Sequence, residues 1–151
     1  TKVSQNYLKI LLPITLLLIL IFQINQFLSI STIDVNDDEP NLTWNIDTEN
    51  ELISSNQAYL INFTAAWCIT CQANDKVALS RKSVKEYLKN NNIEYIIADW
   101  TNRDENILKV LNKYGRSGVP LYVFWKPGMQ DPIVLPSILT ESLVLDTLNK
   151  Y

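Results

Sequence analysis

A pair of cysteines, Cys68 and Cys71, stands between a segment typical of a strand and a segment typical of a helix. The preceding residues 59–64, YLINFT, are rich in β-branched and aromatic side chains, which predicts a buried strand. The helix that follows the cysteines is predicted to end at about Leu79. The chain is therefore restricted to folds in which a sheet strand brings two thiols to the start of a helix.

The helix start gives Cys68 a chemical role. Unpaired backbone N–H groups and the helix dipole stabilise negative charge there, which lowers the pKa of the thiol and favours the reactive thiolate. Cys71 is the helical neighbour of Cys68 and can release a substrate captured as a mixed disulfide. We therefore predict that Cys68 is the nucleophile, that Cys71 is the resolving thiol, and that Trp67 shields one side of the pair. A structural disulfide or two buried inert thiols is the alternative.

The composition excludes most other chemistry. The 151 residues include no histidine, three glycines and two cysteines, with 13 basic and 16 acidic side chains. There is thus no His-based triad, no His-ligated metal site, no four-ligand zinc site and no Gly-rich phosphate loop. The net charge of −3 argues against nucleic-acid binding. Thiol chemistry, binding or a structural role is left, and we expect no metal and no cofactor beyond a redox-active Cys68–Cys71 disulfide.

The N-terminal part has the pattern of a membrane anchor. Residues 10–33 carry no charge, Lys2 and Lys9 precede them, and acidic residues follow from Asp34. A helix over about residues 8–28 is long enough to cross a bilayer, and the positive-inside rule places its N-terminus in the cytoplasm. We predict an anchor in residues 1–33, an acidic linker in 34–42 and a globular domain in 43–151. A cleaved signal peptide is the alternative.

The globular part alternates predicted strands and helices. A capping box of Thr48 and Glu51 predicts the first helix, Ser80 or Ser83 is the expected cap of the third, and Thr140 is the expected cap of the last. The predicted strands are 42–45, 59–64, 93–99, 121–125 and 133–135, and the predicted helices are 49–55, the cysteine pair to about 79, 84–90, 104–114 and 141–150. This order predicts an α/β fold with a central mixed sheet, helices on both faces, and one transmembrane helix before it.

Two separated motifs resemble a known family. Trp-Cys-Ile-Thr-Cys at 67–71, followed by Gly-Val-Pro at 118–120, is similar to the thioredoxin superfamily. More narrowly, FTAAWCITCQANDKVAL, ADWTNRDENI, KYGRSGVPLYVFW and VLPSILT resemble the C-terminal thioredoxin-like domain of the DsbD family of thiol:disulfide interchange proteins. The resemblance implies a thioredoxin-like fold with Cys68 and Cys71 as its redox pair. It also implies that Pro120 is a cis-proline facing them and that Val119 offers backbone hydrogen bonds to a docked substrate chain.

The resemblance also implies a location and partners. The DsbD domain faces the bacterial periplasm, takes electrons from a membrane-embedded domain and passes them on to reduce periplasmic proteins. We therefore expect a single-pass protein of the bacterial inner membrane whose thioredoxin-like domain is periplasmic. Its expected partners are a membrane electron donor of the DsbD type and periplasmic disulfide-containing proteins. Since the chain has one apolar segment and one domain, it is either a fragment or an anchored relative with a separate donor.

One departure concerns proton transfer. Thioredoxins often carry a buried aspartate six residues before the first cysteine, and here that position is Asn62, which cannot take a proton. Asp75 is the best substitute, because it shares a helical face with Cys68 and Cys71 and the DsbD domain also has an acid there. A nearby carboxylate would raise the cysteine pKa. Asp99, at the end of its strand, is a second candidate for pKa tuning. Both acids are otherwise solvated surface groups.

Three functions remain open. The leading one is a membrane-anchored thiol-disulfide oxidoreductase that works as a reductant. The second is a copper-binding or assembly module on a thioredoxin scaffold, because copper(I) favours soft thiolates, although such modules commonly recruit a histidine as well. The third is a non-catalytic interaction domain whose cysteines only staple a turn.

Overall fold

The computed structural model describes residues 42–151. The predicted anchor, and the predicted linker up to residue 41, lie outside the described residues. Within residues 42–151, no helix combines the length and the apolar character needed to cross a membrane.

The described residues form a five-stranded mixed sheet. The strands are β1 (Leu42–Thr43), β2 (Tyr59–Thr64), β3 (Glu94–Asp99), β4 (Leu121–Trp125) and β5 (Ile133–Leu135). Their order across the sheet is β1-β3-β2-β4-β5. β1, β3 and β2 run parallel, while β4 is antiparallel to β2 and β5 is antiparallel to β4. The predicted mixed sheet is confirmed.

Helices cover both faces of this sheet. They are α1 (Thr48–Ser54), α2 (Ile69–Asn74), α3 (Lys82–Asn90), α4 (Glu105–Lys113) and α5 (Glu141–Lys150). α2 continues into a π-helical turn over Asp75–Leu79. One core cluster joins α1 and α4 to the sheet, and a second joins the π-helical turn, α3 and α5 to the opposite face. The result is a three-layer α/β domain with two apolar cores.

The strand at the centre of the sheet places the cysteines. β2 lies between β3 and β4, and its first five residues are buried. The register pairs Thr64 with Asp99 on β3 and Phe63 with Leu121 on β4. Because β2 and β3 end where β4 begins, the loops after β2 and β3 and the loop before β4 meet at one edge of the sheet. The cysteine pair follows β2 directly at that edge.

Two predicted helix starts are wrong. The first helix begins at Thr48, so Asp47 is its N-cap, and the Thr48 hydroxyl accepts a hydrogen bond from the N–H of Asn45 (2.8 Å) instead of capping the helix. This bond closes the turn that follows β1. The third helix has Arg81 as its N-cap, with no side-chain cap, and the Ser83 hydroxyl donates instead to the Glu141 carboxylate on α5. In each case the hydroxyl group that was expected to cap the helix forms a different hydrogen bond, one within a turn and one to another helix.

Candidate active site

Cys68 and Cys71 form a disulfide at the N-terminus of α2. Cys68 is the N-cap residue, and its Sγ accepts a hydrogen bond from the N–H of Cys71 (3.1 Å). The two sulfurs are 2.07 Å apart, and the residues are only 7% and 3% exposed, respectively. When the pair is reduced, the same N–H and the unpaired N–H groups of the first helical turn stabilise a thiolate at Cys68. Of the two sulfurs, the one of Cys68 is thus the one at the start of the helix that accepts a backbone hydrogen bond.

Trp67 forms an aromatic rim beside the disulfide. Its side chain is 48% exposed, and its indole N–H donates to the backbone oxygen of Thr101 (3.1 Å) in the loop after β3. The rings of Trp67 and Trp100 lie 5.8 Å apart in a tilted arrangement. Between the two cysteines, Ile69 is 81% exposed. The surface beside the disulfide therefore includes exposed apolar side chains.

The segment before β4 contacts the cysteine pair. The peptide bond between Val119 and Pro120 is cis, as the resemblance implied. Val119 packs against Ala65, Cys68 and Cys71. An open depression of about 320 Å³ adjoins this contact and is lined by Gly115, Arg116, Ser117, Gly118, Val119, Pro120 and Ser137. The structure thus brings Val119 and the redox pair together and leaves Pro120 at the wall of an open depression.

A polar network lies under α2, on the sheet face that carries Asn62. The Asn62 side-chain N–H donates to the Tyr95 hydroxyl (2.8 Å), and Asn62 pairs with Tyr122 across β2 and β4. The Asn74 side-chain N–H donates to the Tyr122 hydroxyl (2.9 Å) and to the backbone oxygen of Ser137 (2.7 Å). The Asn74 Oδ1 accepts from the N–H of Leu139 (3.0 Å). These bonds connect the cysteine helix to the segment that lines the depression.

Asn74 is the residue that sequence reasoning missed. It lies one helical turn after Cys71 and is 2% exposed, although its side chain is polar. A polar residue on the buried stripe of a helix was the available signal, since a buried amide needs hydrogen-bond partners. Its partners come from β4 and from residues 137–139, which local sequence patterns do not bring together.

Asp75 is exposed and begins the π-helical turn, four residues after Cys71. Its charge acts on the buried phenols beneath it. Burial raises the pKa of Tyr122, the hydrogen bond from Asn74 opposes this rise, and the Asp75 charge adds to it. Burial likewise raises the pKa of Tyr95, with Asn62 opposing the rise and Asp75 adding to it. Asp75 is therefore close enough to influence the groups under the redox helix.

Asp99 has a different position. Its Oδ1 accepts hydrogen bonds from the N–H of Thr101 (2.8 Å) and from the Thr101 hydroxyl. The same hydroxyl oxygen accepts from the N–H of Ala66 (2.8 Å), two residues before Cys68. Asp99 thus orients Thr101, and Thr101 fixes the backbone that leads into the cysteine pair. The Asp99 carboxylate is thereby connected through Thr101 to the loop that carries the cysteines.

No group of three or more His, Cys, Asp or Glu side chains is placed to hold a metal ion within residues 42–151. Both cysteine sulfurs in the structure are engaged in the disulfide. The described site is a disulfide at a helix N-terminus.

Comparisons with known proteins identify the family and the fold. A family described as thioredoxin-like matches residues 48–127. The reduced C-terminal domain of DsbD from Neisseria meningitidis is 16% identical, with a TM-score of 0.55, over 68% of this chain and 88% of that one. A thioredoxin from Thermus thermophilus is 17% identical, with a TM-score of 0.56, over 73% of this chain and 86% of that one. A chloroplastic thioredoxin z is 15% identical, with a TM-score of 0.57, over 72% and 91%. At these identities the structural likeness concerns the fold.

Proposed function

This chain belongs to the thioredoxin-like family, and from that premise we propose that it is a thiol-disulfide oxidoreductase that reduces disulfides in partner proteins. The observation that carries the proposal is the Cys68–Cys71 disulfide at a helix N-terminus, with the Cys68 sulfur accepting the Cys71 N–H. Such a position favours the thiolate, which is the attacking species in disulfide exchange.

The proposed reaction moves two electrons. In the reduced protein, the Cys68 thiolate attacks one sulfur of a partner disulfide, forming a mixed disulfide and releasing the partner's other sulfur as a thiolate. The Cys71 thiol loses its proton to solvent and attacks the Cys68 sulfur, which releases the second partner thiol. The Cys68–Cys71 disulfide that results is the state in the structure. A donor dithiol then reduces it by the same steps in reverse.

The surroundings of the disulfide supply the substrate contacts. Trp67 and Ile69 offer exposed apolar surface to the partner. We propose that the backbone of Val119 binds an extended partner chain beside Pro120, because this segment packs on the cysteines and borders an open depression. Asp75 is the proposed charge that tunes the cysteines through the helix face they share.

The proposed setting follows the DsbD resemblance. We propose a single-pass protein of the bacterial inner membrane, anchored by residues 8–28, with the thioredoxin-like domain in the periplasm. Its proposed donor is a membrane protein of the DsbD type, and its proposed targets are periplasmic proteins with disulfides. Labelling of Cys68 by a membrane-impermeant thiol reagent in intact spheroplasts tests this setting. Labelling only after lysis would contradict it.

Insulin reduction tests the activity. With dithiothreitol as the electron source, the chain is expected to accelerate precipitation of the insulin B chain, and the Cys68→Ser variant is expected to lose this activity. Equilibration of the Cys68–Cys71 pair with a dithiol buffer gives its reduction potential. We expect a value near that of thioredoxin, about −270 mV. A value near the strong oxidants, about −120 mV, would reverse the proposed direction of electron flow.

A further inference from the structure

Arg103 is held over the aromatic rim of the active site. Its guanidinium carbon lies 5.4 Å from the centre of the Trp67 ring and 5.9 Å from the centre of the Trp100 ring. The backbone N–H of Arg103 donates to the backbone oxygen of Trp100 (3.0 Å), and Arg103 has a positive φ of 57°. Cation–π attraction to two indoles restricts a guanidinium more than a freely rotating surface arginine is restricted. The positive charge therefore lies beside the residue that precedes Cys68.

This charge has no carboxylate partner within the described residues. The ion pairs in residues 42–151 are Arg81–Glu141, Lys82–Glu86 and Lys113–Glu49. The two acids of the Arg103 loop are engaged elsewhere. Asp99 accepts hydrogen bonds from Thr101, and Asp104 caps α4 by accepting from the N–H groups of Asn106 and Ile107. Among residues 42–151 no group accepts a hydrogen bond from the guanidinium, so with respect to this part of the chain its donors are available to a molecule that docks on the rim.

A second arginine borders the same site. Arg116 lines the depression beside Val119 and Pro120, and it too makes no ion pair within the part of the chain described. The apolar surface of Trp67 and Ile69 lies next to Cys68 in the same rim. Surface that combines exposed apolar side chains with unpaired guanidinium groups suits a peptide segment bearing both apolar and acidic side chains.

We propose that this rim selects protein substrates that carry a carboxylate next to the disulfide to be reduced, and that Arg103 is the specificity-determining residue. The inference rests on the proposed disulfide-reductase function. A guanidinium can bind a carboxylate through two parallel hydrogen bonds, and a charge fixed by stacking loses little side-chain entropy on binding. The acidic side chain is thereby held over Trp67 while its neighbouring sulfur faces Cys68.

Single-turnover reduction of matched peptides tests this selection. Three peptides with one intramolecular disulfide differ only at the residue beside the attacked cysteine, which is Glu, Gln or Lys. The full chain, reduced beforehand, supplies two electrons per peptide and ends with the Cys68–Cys71 disulfide, so no other reductant is needed. We expect the Glu peptide to react about three- to tenfold faster than the Gln peptide, with the Lys peptide slowest, and we expect added salt to reduce these ratios.

Arginine variants assign the effect to one side chain. Arg103→Gln is expected to bring the Glu and Gln peptides to similar rates. Arg103→Glu is expected to reverse the order, so that the Lys peptide reacts fastest. A misfolded protein would not begin to prefer the Lys peptide. A reversed order therefore shows that the charge of residue 103, and not a loss of structure, causes the change in rates. Lys85→Gln is the matched control, since Lys85 is exposed on α3 and belongs to no ion pair within the described residues. It is expected to keep the wild-type order.

The possible failures are distinct. If the wild-type chain reduces none of the peptides, the proposed reductase function is wrong. If it reduces all three at the same rate, the function stands and the selection is wrong. If Arg103→Glu still prefers the Glu peptide, the preference comes from other groups and the role of Arg103 is wrong.

Discussion

The side-chain amide of Asn74 is hydrogen-bonded to the hydroxyl of Tyr122, at 2.9 Å, in the interior of the domain. Asn74 belongs to the helix that begins at the cysteine pair, and Tyr122 belongs to the strand that begins after Pro120. The two sequence segments that form the active site are therefore tied together from beneath. The same amide also holds Ser137 and Leu139, so the redox helix and the wall of the depression share one buried connection.

Removal of the Asn74 amide tests this connection. Asn74→Ala leaves the Tyr122 hydroxyl, the Ser137 oxygen and the Leu139 N–H without their partner, and we expect the free energy of unfolding to fall by about 2–3 kcal/mol. We also expect Asn74→Ala to slow the reduction of insulin more than it slows the reduction of a small uncharged disulfide. The reason is that residue 137, which loses its bond to Asn74, lines the depression. Asn112→Ala, at an exposed position on α4, is the control in urea unfolding. Equal stability of the two variants would contradict the proposed role.

The two cysteines are expected to behave differently. Cys71→Ser should accumulate a mixed disulfide with its substrate at Cys68, because the resolving thiol is absent. Cys68→Ser should lower insulin reduction by at least about a hundredfold, because the attacking atom is absent. Non-reducing gels and mass spectrometry identify the trapped species. A mixed disulfide at Cys71 in the Cys68→Ser variant, with activity retained, would reverse the assignment.

Asn62→Asp would place a carboxyl group in the buried polar network. Since Asn62 is 5% exposed, desolvation should raise the pKa of the new carboxyl group. A carboxyl group whose folded-state pKa is raised destabilises the fold when it is ionised. This cost disappears as the group becomes protonated at lower pH. We therefore expect a loss of about 1–3 kcal/mol at pH 8, and a smaller loss as the pH falls toward 5. Urea unfolding at both pH values measures this, with Asn112→Asp as the exposed control.

Asp75→Asn isolates the effect of the acid on the redox pair. Because Asp75 is exposed, we expect the free energy of unfolding to change by less than about 0.5 kcal/mol. Removal of its negative charge should favour the Cys68 thiolate, so that alkylation begins at a pH lower by up to about one unit. Glu94→Gln, at the far end of β3, is the control. An unchanged pH dependence of iodoacetamide labelling would rule out tuning by Asp75.

Four tyrosines are expected to limit stability in alkali. Burial is the largest cause that raises the pKa values of Tyr59, Tyr95, Tyr114 and Tyr122. Unfolded tyrosine ionises at about pH 10. The raised tyrosine pKa values therefore contribute their full stabilisation to the folded state below that pH. This stabilisation is lost as the pH rises toward the folded-state pKa values. Phenolate absorbance should develop together with unfolding, as followed by circular dichroism. Ionisation of these four groups in the intact fold, before any loss of structure, would contradict the assignment.

The parts of the fold that the sequence predicts best are those with strong local patterns. The runs YLINFT and LYVFW correspond to β2 and β4 with the predicted bounds, because both are rich in β-branched and aromatic residues and both strands lie in the centre of the sheet. The last helix begins as expected, with the Thr140 hydroxyl accepting from the N–H of Leu143 (3.2 Å). Gly115 has the positive φ of 67° expected of a glycine that follows a helix. In these segments short-range physics decides the structure.

The parts of the site that sequence reasoning missed depend on strand register. Asn62 and Tyr122 are sixty residues apart in the chain, yet they face each other across two strands. Thr101 meets Ala66 because β2 and β3 end at the same edge of the sheet. The sequence identified Asp99 as a charge near the cysteines, but its partner was not predictable without the loop geometry. The motif spacing therefore predicted which cysteines react. The residues whose hydrogen bonds hold the cysteine segment in place became visible only in the tertiary structure.

The burial of both sulfurs has a kinetic consequence. With Cys71 only 3% exposed and Cys68 only 7% exposed, the disulfide is open to other molecules over one small area next to Trp67 and Val119. A molecule that delivers electrons and a molecule that receives them must then occupy that area by turns. Turnover would follow a ping-pong scheme, in which an excess of either partner occupies the entrance and slows the other.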